Sequence, residues 1–227
     1  MIDHVHDLAS VREATDRLLN AAARIDNAGA AAPSRLPGWS RGHVLAHLSR
    51  NADALVNVLQ DRPMYVSGEA READIERDAP RPVAAQLDDL GGSAARFDSV
   101  AAAQNDWGRT VELRNGVTDR AARIPFRRLV EVELHHVDLD VGYELEDLPE
   151  EFTDRETAFL AERFTGHADV PPTRIVTERG EWRTGGTQGG EVTVTGSPAD
   201  VVGWLAGRRD GAALKTAGGP LPALPPL

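Results

Sequence analysis

The chain has 227 residues and a formal net charge of −11, with 41% hydrophobic and 27% charged residues. That balance belongs to a globular protein and not to a disordered one, and the acidity, with no Lys/Arg block, argues against a phosphate-binding nucleic-acid role. There is no cysteine, which excludes disulfides, thiolate metal sites and a cysteine nucleophile; any metal must rest on His, Asp and Glu, and any thiol chemistry on a thiol from outside.

Residues 7–28 predict a first helix, with Leu8, Val11, Leu18, Ala22 and Ile25 near helical spacing and Gly29 placed to stop it. After a loop carrying Pro33, Pro37 and Gly38, Ser40 suits the N-cap of a second helix running to about Gln60. Val44, Leu48, Ala52, Leu55 and Leu59 share one face of it. Residues 61–82 read as loop, with Pro63, Gly68, Pro80 and Pro82. A third helix is expected over 83–103, where Val83, Leu87, Leu90, Ala94, Phe97 and Ala101 recur at helical spacing. Trp107 to Thr118 reads as irregular or short β. A fourth helix starts near Pro125, a residue suited to a first turn, and ends near Gly142. Four such helices predict a bundle.

The composition then changes. Residues 147–157 are acidic and polar, Phe159 to Phe164 looks helical, and Arg174 to Thr177 and Glu191 to Thr195 look like strands. A Gly-rich hairpin or loop is expected at 179–190, and a helix from Ser197-Pro198 to Gly207. The expected organisation is α+β: a four-helix bundle over 1–147 and a smaller α/β domain over 148–227. No apolar run is long enough to cross a bilayer. Met1-Ile2-Asp3-His4 lacks the layout of a signal peptide, so a cytoplasmic location is expected, with no membrane partner.

The fourth helix carries the most information. Successive helical residues turn by about 100°, so Val130, Leu134, Val137 and Val141 form one apolar ridge, and Val132 and Leu139 another. Glu131, His135 and Asp138 run between the ridges, whereas Glu133, His136 and Asp140 are expected to face solvent. A carboxylate buried without partners is costly. A metal ion removes that cost, and Glu131 and His135, one turn apart, can reach the same ion. A metal-free, hydrogen-bonded Glu–His pair is the other reading of this pattern. On the second helix, His43 and His47 are also one turn apart. A structural role is the default for each; His47 lies nearer the apolar face and His43 further round, towards solvent. His47, Glu131 and His135 together make three N/O ligands with one position left open, as in catalytic zinc sites.

These residues carry a family resemblance. The segment from Leu36-Pro37-Gly38-Trp39-Ser40-Arg41-Gly42-His43 to His47-Leu48 resembles the mycothiol-dependent maleylpyruvate isomerases. So do Asn51 to Leu55, Met64-Tyr65, Ala70 to Glu76, the Glu131 to Leu139 stretch, Trp204 to Arg208 and the Leu/Pro-rich tail. The resemblance implies a DinB-like four-helix domain followed by a small sterol-carrier-like domain. It also implies a divalent metal, zinc in type, on His47, Glu131 and His135, and it places the family's C-terminal arginine on Arg208. Mycothiol would supply the thiol that the chain lacks. In that reaction the thiolate adds to the double bond of maleylpyruvate, rotation follows, and loss of the thiol gives fumarylpyruvate.

The substrate is a dianion, so a cation is expected, and an arginine binds a carboxylate through two parallel hydrogen bonds. Arg208 is the candidate, closing the cleft from the second domain, with Arg209 expected to matter little; a solvated helix-end cation is the bland alternative. Trp39 is read as a core plug ahead of its helix, with lining of a thiol pocket as the other possibility. Asp138 is a candidate partner for a ligand histidine. Two rival functions remain open: a mycothiol S-transferase that keeps the thiol on an electrophile, and a non-catalytic carrier that binds no metal.

Overall fold

The computed structural model describes residues 2–226, which divide into two compact units between Tyr143 and Glu144. The first holds α1 (His4–Ala22), α2 (Asn27–Ala31), α3 (Arg41–Leu59), α4 (Gly68–Asp78) and α5 (Val83–Ala102). A two-stranded antiparallel ribbon follows, β1 (Thr110–Glu112) with β2 (Thr118–Arg120), and then α6 (Ile124–Asp138). Four long helices make the core of this unit: α3 packs on α5 and α6, and α1 on α6 and α5. Val44, Leu48 and Leu55 of α3, Phe97 of α5, and Val132 and Val137 of α6 are buried there.

Sequence patterning located these four helices and misjudged what joins them. The first helix stops at Ala22, and Asp26 caps a separate short α2 by accepting from the Gly29 amide at 2.7 Å. The segment expected to be loop contains α4, started by Ser67, whose hydroxyl accepts from the Ala70 amide at 3.0 Å. Its buried residues are only Ile75 and Asp78, so α4 has almost no apolar periodicity to read. It packs on α3.

The second unit contains α7 (Glu150–Phe164), β3 (Thr173–Val176), β4 (Glu181–Thr184), β5 (Val192–Thr195), α8 (Pro198–Leu205) and β6 (Lys215–Ala217). Its sheet has the order β4-β3-β5-β6, in which β3 and β5 run parallel and the outer pairs antiparallel. α7 packs on α8 and β4, burying Phe152, Leu160 and Phe164. It begins well before the expected Phe159, because the acidic stretch after Pro149 is a solvated first turn that complements the helix dipole. β6 is exposed throughout, so no alternation marked it. The chain is α+β, helix-rich first and a small mixed sheet after.

Candidate metal centre

Two helices bring the chemistry together. Ser40 begins α3: its hydroxyl accepts from the His43 amide, and its own amide donates to His43 Nδ1 at 3.1 Å. This reciprocal cap occupies Nδ1 of His43, and its Nε2 faces Glu76 at 3.4 Å, away from the cluster at His47. His43 is therefore half-buried and structural, and His47, one turn on, points inward. The loop before α3 is pinned to the end of α6. Arg41 Nε donates to the Leu139 carbonyl at 2.7 Å, and Arg35 Nη2 pairs with Asp140 at 3.0 Å. Gly38, at φ +80°, allows the turn that sets Trp39 beside His47.

The donor atoms of His47, Glu131 and His135 lie within 4.8 Å of one another. His47 Nε2 donates to Glu131 Oε2 at 2.9 Å, and His135 Nε2 lies 3.3 Å from the same oxygen. The imidazole rings are nearly perpendicular, 85° apart, with centroids 4.6 Å apart. Two imidazole nitrogens and a carboxylate oxygen converging on one point form a donor set that suits a divalent cation. Glu131 is the most open of the three, its side chain 32% exposed against 7% for His47 and 12% for His135. Behind His135, Asp138 accepts from Nδ1 at 2.8 Å and is itself fully buried. That partner fixes the ring and leaves Nε2 turned towards Glu131 and the donor cluster.

Electrostatics follow the same geometry. Burial pushes the Glu131 carboxyl upwards, but hydrogen bonds from His135 and His47 outweigh it and hold the group well below the usual carboxylate range. Burial lowers the His47 imidazole against the pull of Glu131. Burial also acts to lower His135, yet its bonds to Asp138 and Glu131 win and raise it. His135 thus stands between two carboxylates, Asp138 at Nδ1 and Glu131 at Nε2, a setting that favours positive charge.

Several residues differ from their expected roles. Trp39 is half-buried and not a core plug: its ring lies 5.5 Å from that of His47, walling the site. Glu133 and His136, expected in solvent, are buried, because α6 is covered on most of its circumference; only Asp140 of that set is exposed. Glu133 takes bonds from Arg17 and from the Tyr143 hydroxyl. Arg208 donates to the Ala206 carbonyl at 2.7 Å. Arg209, expected to be inconsequential, pairs with Glu146 and Asp200, both at 2.7 Å, and ties the turn at 145–147 to α8.

Two arginines near the centre were not anticipated. Arg71 of α4 reaches His47 Nδ1 with Nη2 at 3.1 Å, and its guanidinium lies 5.9 Å from the centre of the Tyr65 ring. Arg128, buried within α6, donates to the Leu48 carbonyl at 2.9 Å and to Asn51 Oδ1 at 2.8 Å. Burial lowers its guanidinium to about 10, against the pull of Glu131. An arginine carries no periodic signal, and Arg71 sits in the segment misread as loop.

A four-helix unit with a His–Glu–His donor cluster, followed by a small mixed-sheet unit, defines a class of two-unit proteins with a metal-type centre in the bundle. Residues 11–140 match the mycothiol maleylpyruvate isomerase N-terminal domain, and residues 147–226 the C-terminal domain of the same family. The chain belongs to the mycothiol maleylpyruvate isomerase family. It is 28% identical to a mycothiol-dependent maleylpyruvate isomerase of known crystal structure, with a TM-score of 0.89 over 99% of this chain and 97% of that one. A histidine-to-alanine mutant of a mycothiol-dependent maleylpyruvate isomerase, also solved as a crystal structure, is 27% identical, with the same TM-score of 0.89 and the same coverage, 99% and 97%. No curated protein matches.

Proposed function

We propose that the chain is a metal- and mycothiol-dependent isomerase that converts maleylpyruvate to fumarylpyruvate. The observation that carries this reading is the convergence of His47, Glu131 and His135 on one point in a cysteine-free chain, within a family named for that reaction. His47, Glu131 and His135 would hold the ion, and zinc is the proposed metal because two imidazoles and one carboxylate suit it. When bound, the metal keeps the cofactor's sulfur as thiolate at neutral pH.

The chain's own residues do the rest. Asp138 holds the His135 ring so that Nε2 faces the centre. Trp39 lies beside His47, its ring 5.5 Å from the imidazole, and would shield that side of it. Arg208 is the proposed partner of a substrate carboxylate, a role supported by the family resemblance. Residues 1–147 are proposed as the metal-binding domain and 148–227 as the second domain. The working location is the cytoplasm, with a small anionic substrate, a low-molecular-weight thiol and no nucleic acid as partners.

The test is an assay of maleylpyruvate turnover with and without mycothiol, after elemental analysis of protein purified without a metal-affinity step. Fumarylpyruvate formed only with thiol and metal is the expected result. Full-rate turnover in thiol-free buffer refutes the reading. A thioether that accumulates in place of fumarylpyruvate makes the protein an S-transferase, and absence of metal makes it a carrier.

A further inference from the structure

The two histidines of the centre are prepared in opposite senses. Asp138, a pure acceptor, faces His135 Nδ1 at 2.8 Å, so Nδ1 carries hydrogen and Nε2 is the nitrogen of the neutral ring that has a lone pair for a metal. Behind His47 stands Arg71, whose Nη2 is 3.1 Å from Nδ1. A guanidinium can only donate, so His47 Nδ1 is the acceptor here and Nε2 bears the hydrogen that points to Glu131. A metal on Nε2 reverses this. The neutral ring must then carry its hydrogen on Nδ1, and two donors would face each other at 3.1 Å. Arg71 and a metal therefore cannot both engage His47 in this arrangement.

Arg71 has somewhere to stay when that bond is lost. Its Nη1 pairs with Glu72 at 2.5 Å, and its guanidinium lies 5.9 Å from the centre of the Tyr65 ring. The side chain is only 12% exposed, so a freed Nη2 is a poorly solvated donor in need of an acceptor. The proposed substrate is a dianion, and one arginine answers only one carboxylate.

We propose that Arg71 is a metal-displaced arginine: it engages His47 only in the metal-free protein, and on loading it gives its Nη2 to a carboxylate of the substrate. This rests on reading His47, Glu131 and His135 as a metal centre. Arg71 is then a carboxylate-positioning residue that becomes available only when the metal is in place, so the dianion is bound where the thiolate is already formed.

The test compares wild-type protein with Arg71→Ala. Zinc affinity is measured by chelator competition, and maleate binding to the zinc-loaded proteins by calorimetry. A hydrogen bond to a charged group sets the scale: Arg71→Ala should bind zinc about 10-fold more tightly or better, yet bind maleate about 10-fold more weakly or worse. An arginine that merely held His47 in place would give the opposite sign for zinc, since losing an orienting partner weakens metal binding by about 10- to 100-fold.

Removing a positive charge also favours zinc, so a nitrogen-15 spectrum of the wild-type protein separates the two causes. On loading, the His47 hydrogen should move from Nε2 to Nδ1 and the Arg71 side-chain resonances should shift in step. Unchanged Arg71 resonances overturn the proposal, as does zinc affinity that is equal or weaker in Arg71→Ala. If neither protein binds zinc, the metal reading itself fails.

Discussion

At the scale of single residues, the centre separates groups that bind from groups that orient. His135→Ala should abolish metal occupancy, measured by elemental analysis, while His43→Ala should leave it nearly intact, because His43 caps α3 and faces Glu76. Asp138→Asn keeps the shape behind His135 but can present a donor to Nδ1; metal affinity should fall by about 10- to 100-fold. The pH dependence has a definite sign. His135 is held above its ordinary 6.5 by its two carboxylate partners, against its burial, so a metal bound there would compete with a proton up to a higher pH than at an ordinary histidine. Apparent affinity should weaken as pH falls through that raised value, starting at a higher pH than for an ordinary histidine, and loading should release a proton, read from buffer-dependent heats. His47 is lowered and should add to the loss only in more acid solution. Equal affinity at pH 6 and pH 8 would contradict the assignment. The convergence of His47, Glu131 and His135 was legible because Glu131 and His135 lie between apolar ridges and His47 on an apolar face. Arg71 was not legible, since nothing in sequence pairs an exposed-looking arginine with a histidine on another helix.

At the scale of elements, α3 and α6 could be read because each repeats apolar residues every three to four positions and carries a recognisable start, Ser40 or Pro125. α4 and the first half of α7 escaped for the converse reason: their polar turns owe their helical state to capping and tertiary context. The close approach of α3 to the end of α4 has its own residue. A Cβ on Gly42 would lie 2.3 Å from the Ala79 carbonyl oxygen and 3.1 Å from Gln86 Nε2, and backbone cannot retreat as a flexible side chain does. Gly42→Ala should therefore destabilise the protein by about 1–3 kcal/mol, measured by denaturant unfolding, although alanine favours helix. A neutral or stabilising effect would show that α4 yields freely at this point.

At the scale of the whole molecule, each unit carries an arginine question. Arg208→Ala should leave metal bound and the fold intact while lowering turnover at low dicarboxylate concentration. Loss of a desolvated charge pair costs about 2–5 kcal/mol, a factor on the order of 30 or more in rate constant. Arg208→Lys should not restore it, because an ammonium lacks the planar two-point contact. Arg209→Ala is a stability probe and not a silent control. It removes ion pairs to Glu146 and Asp200 at 2.7 Å, partly exposed, and should cost the second unit about 1 kcal/mol or less without changing metal content. If the two variants lose activity equally, the role given to Arg208 must be abandoned. The change in composition put a division at 147/148, four residues beyond the one between Tyr143 and Glu144, whereas β6 gave no signal, having no buried face to impose alternation.

The sparse anchoring of α4 bears on motion. Helices held by few buried apolar contacts open locally at lower free energy than those in the core. With only Ile75 and Asp78 buried, α4 should exchange its amide hydrogens sooner than α3 or α6. An ion bridging His47 and Glu131 would clasp α3 to α6 and slow their exchange further, leaving α4 outside the clasp and free to carry Arg71 on its own timescale. Hydrogen exchange followed by mass spectrometry, with and without zinc, should show protection growing in the peptides around residues 44–55 and 128–138 and little change around 68–78. Equal protection of all three would mean that α4 moves with the bundle and not apart from it.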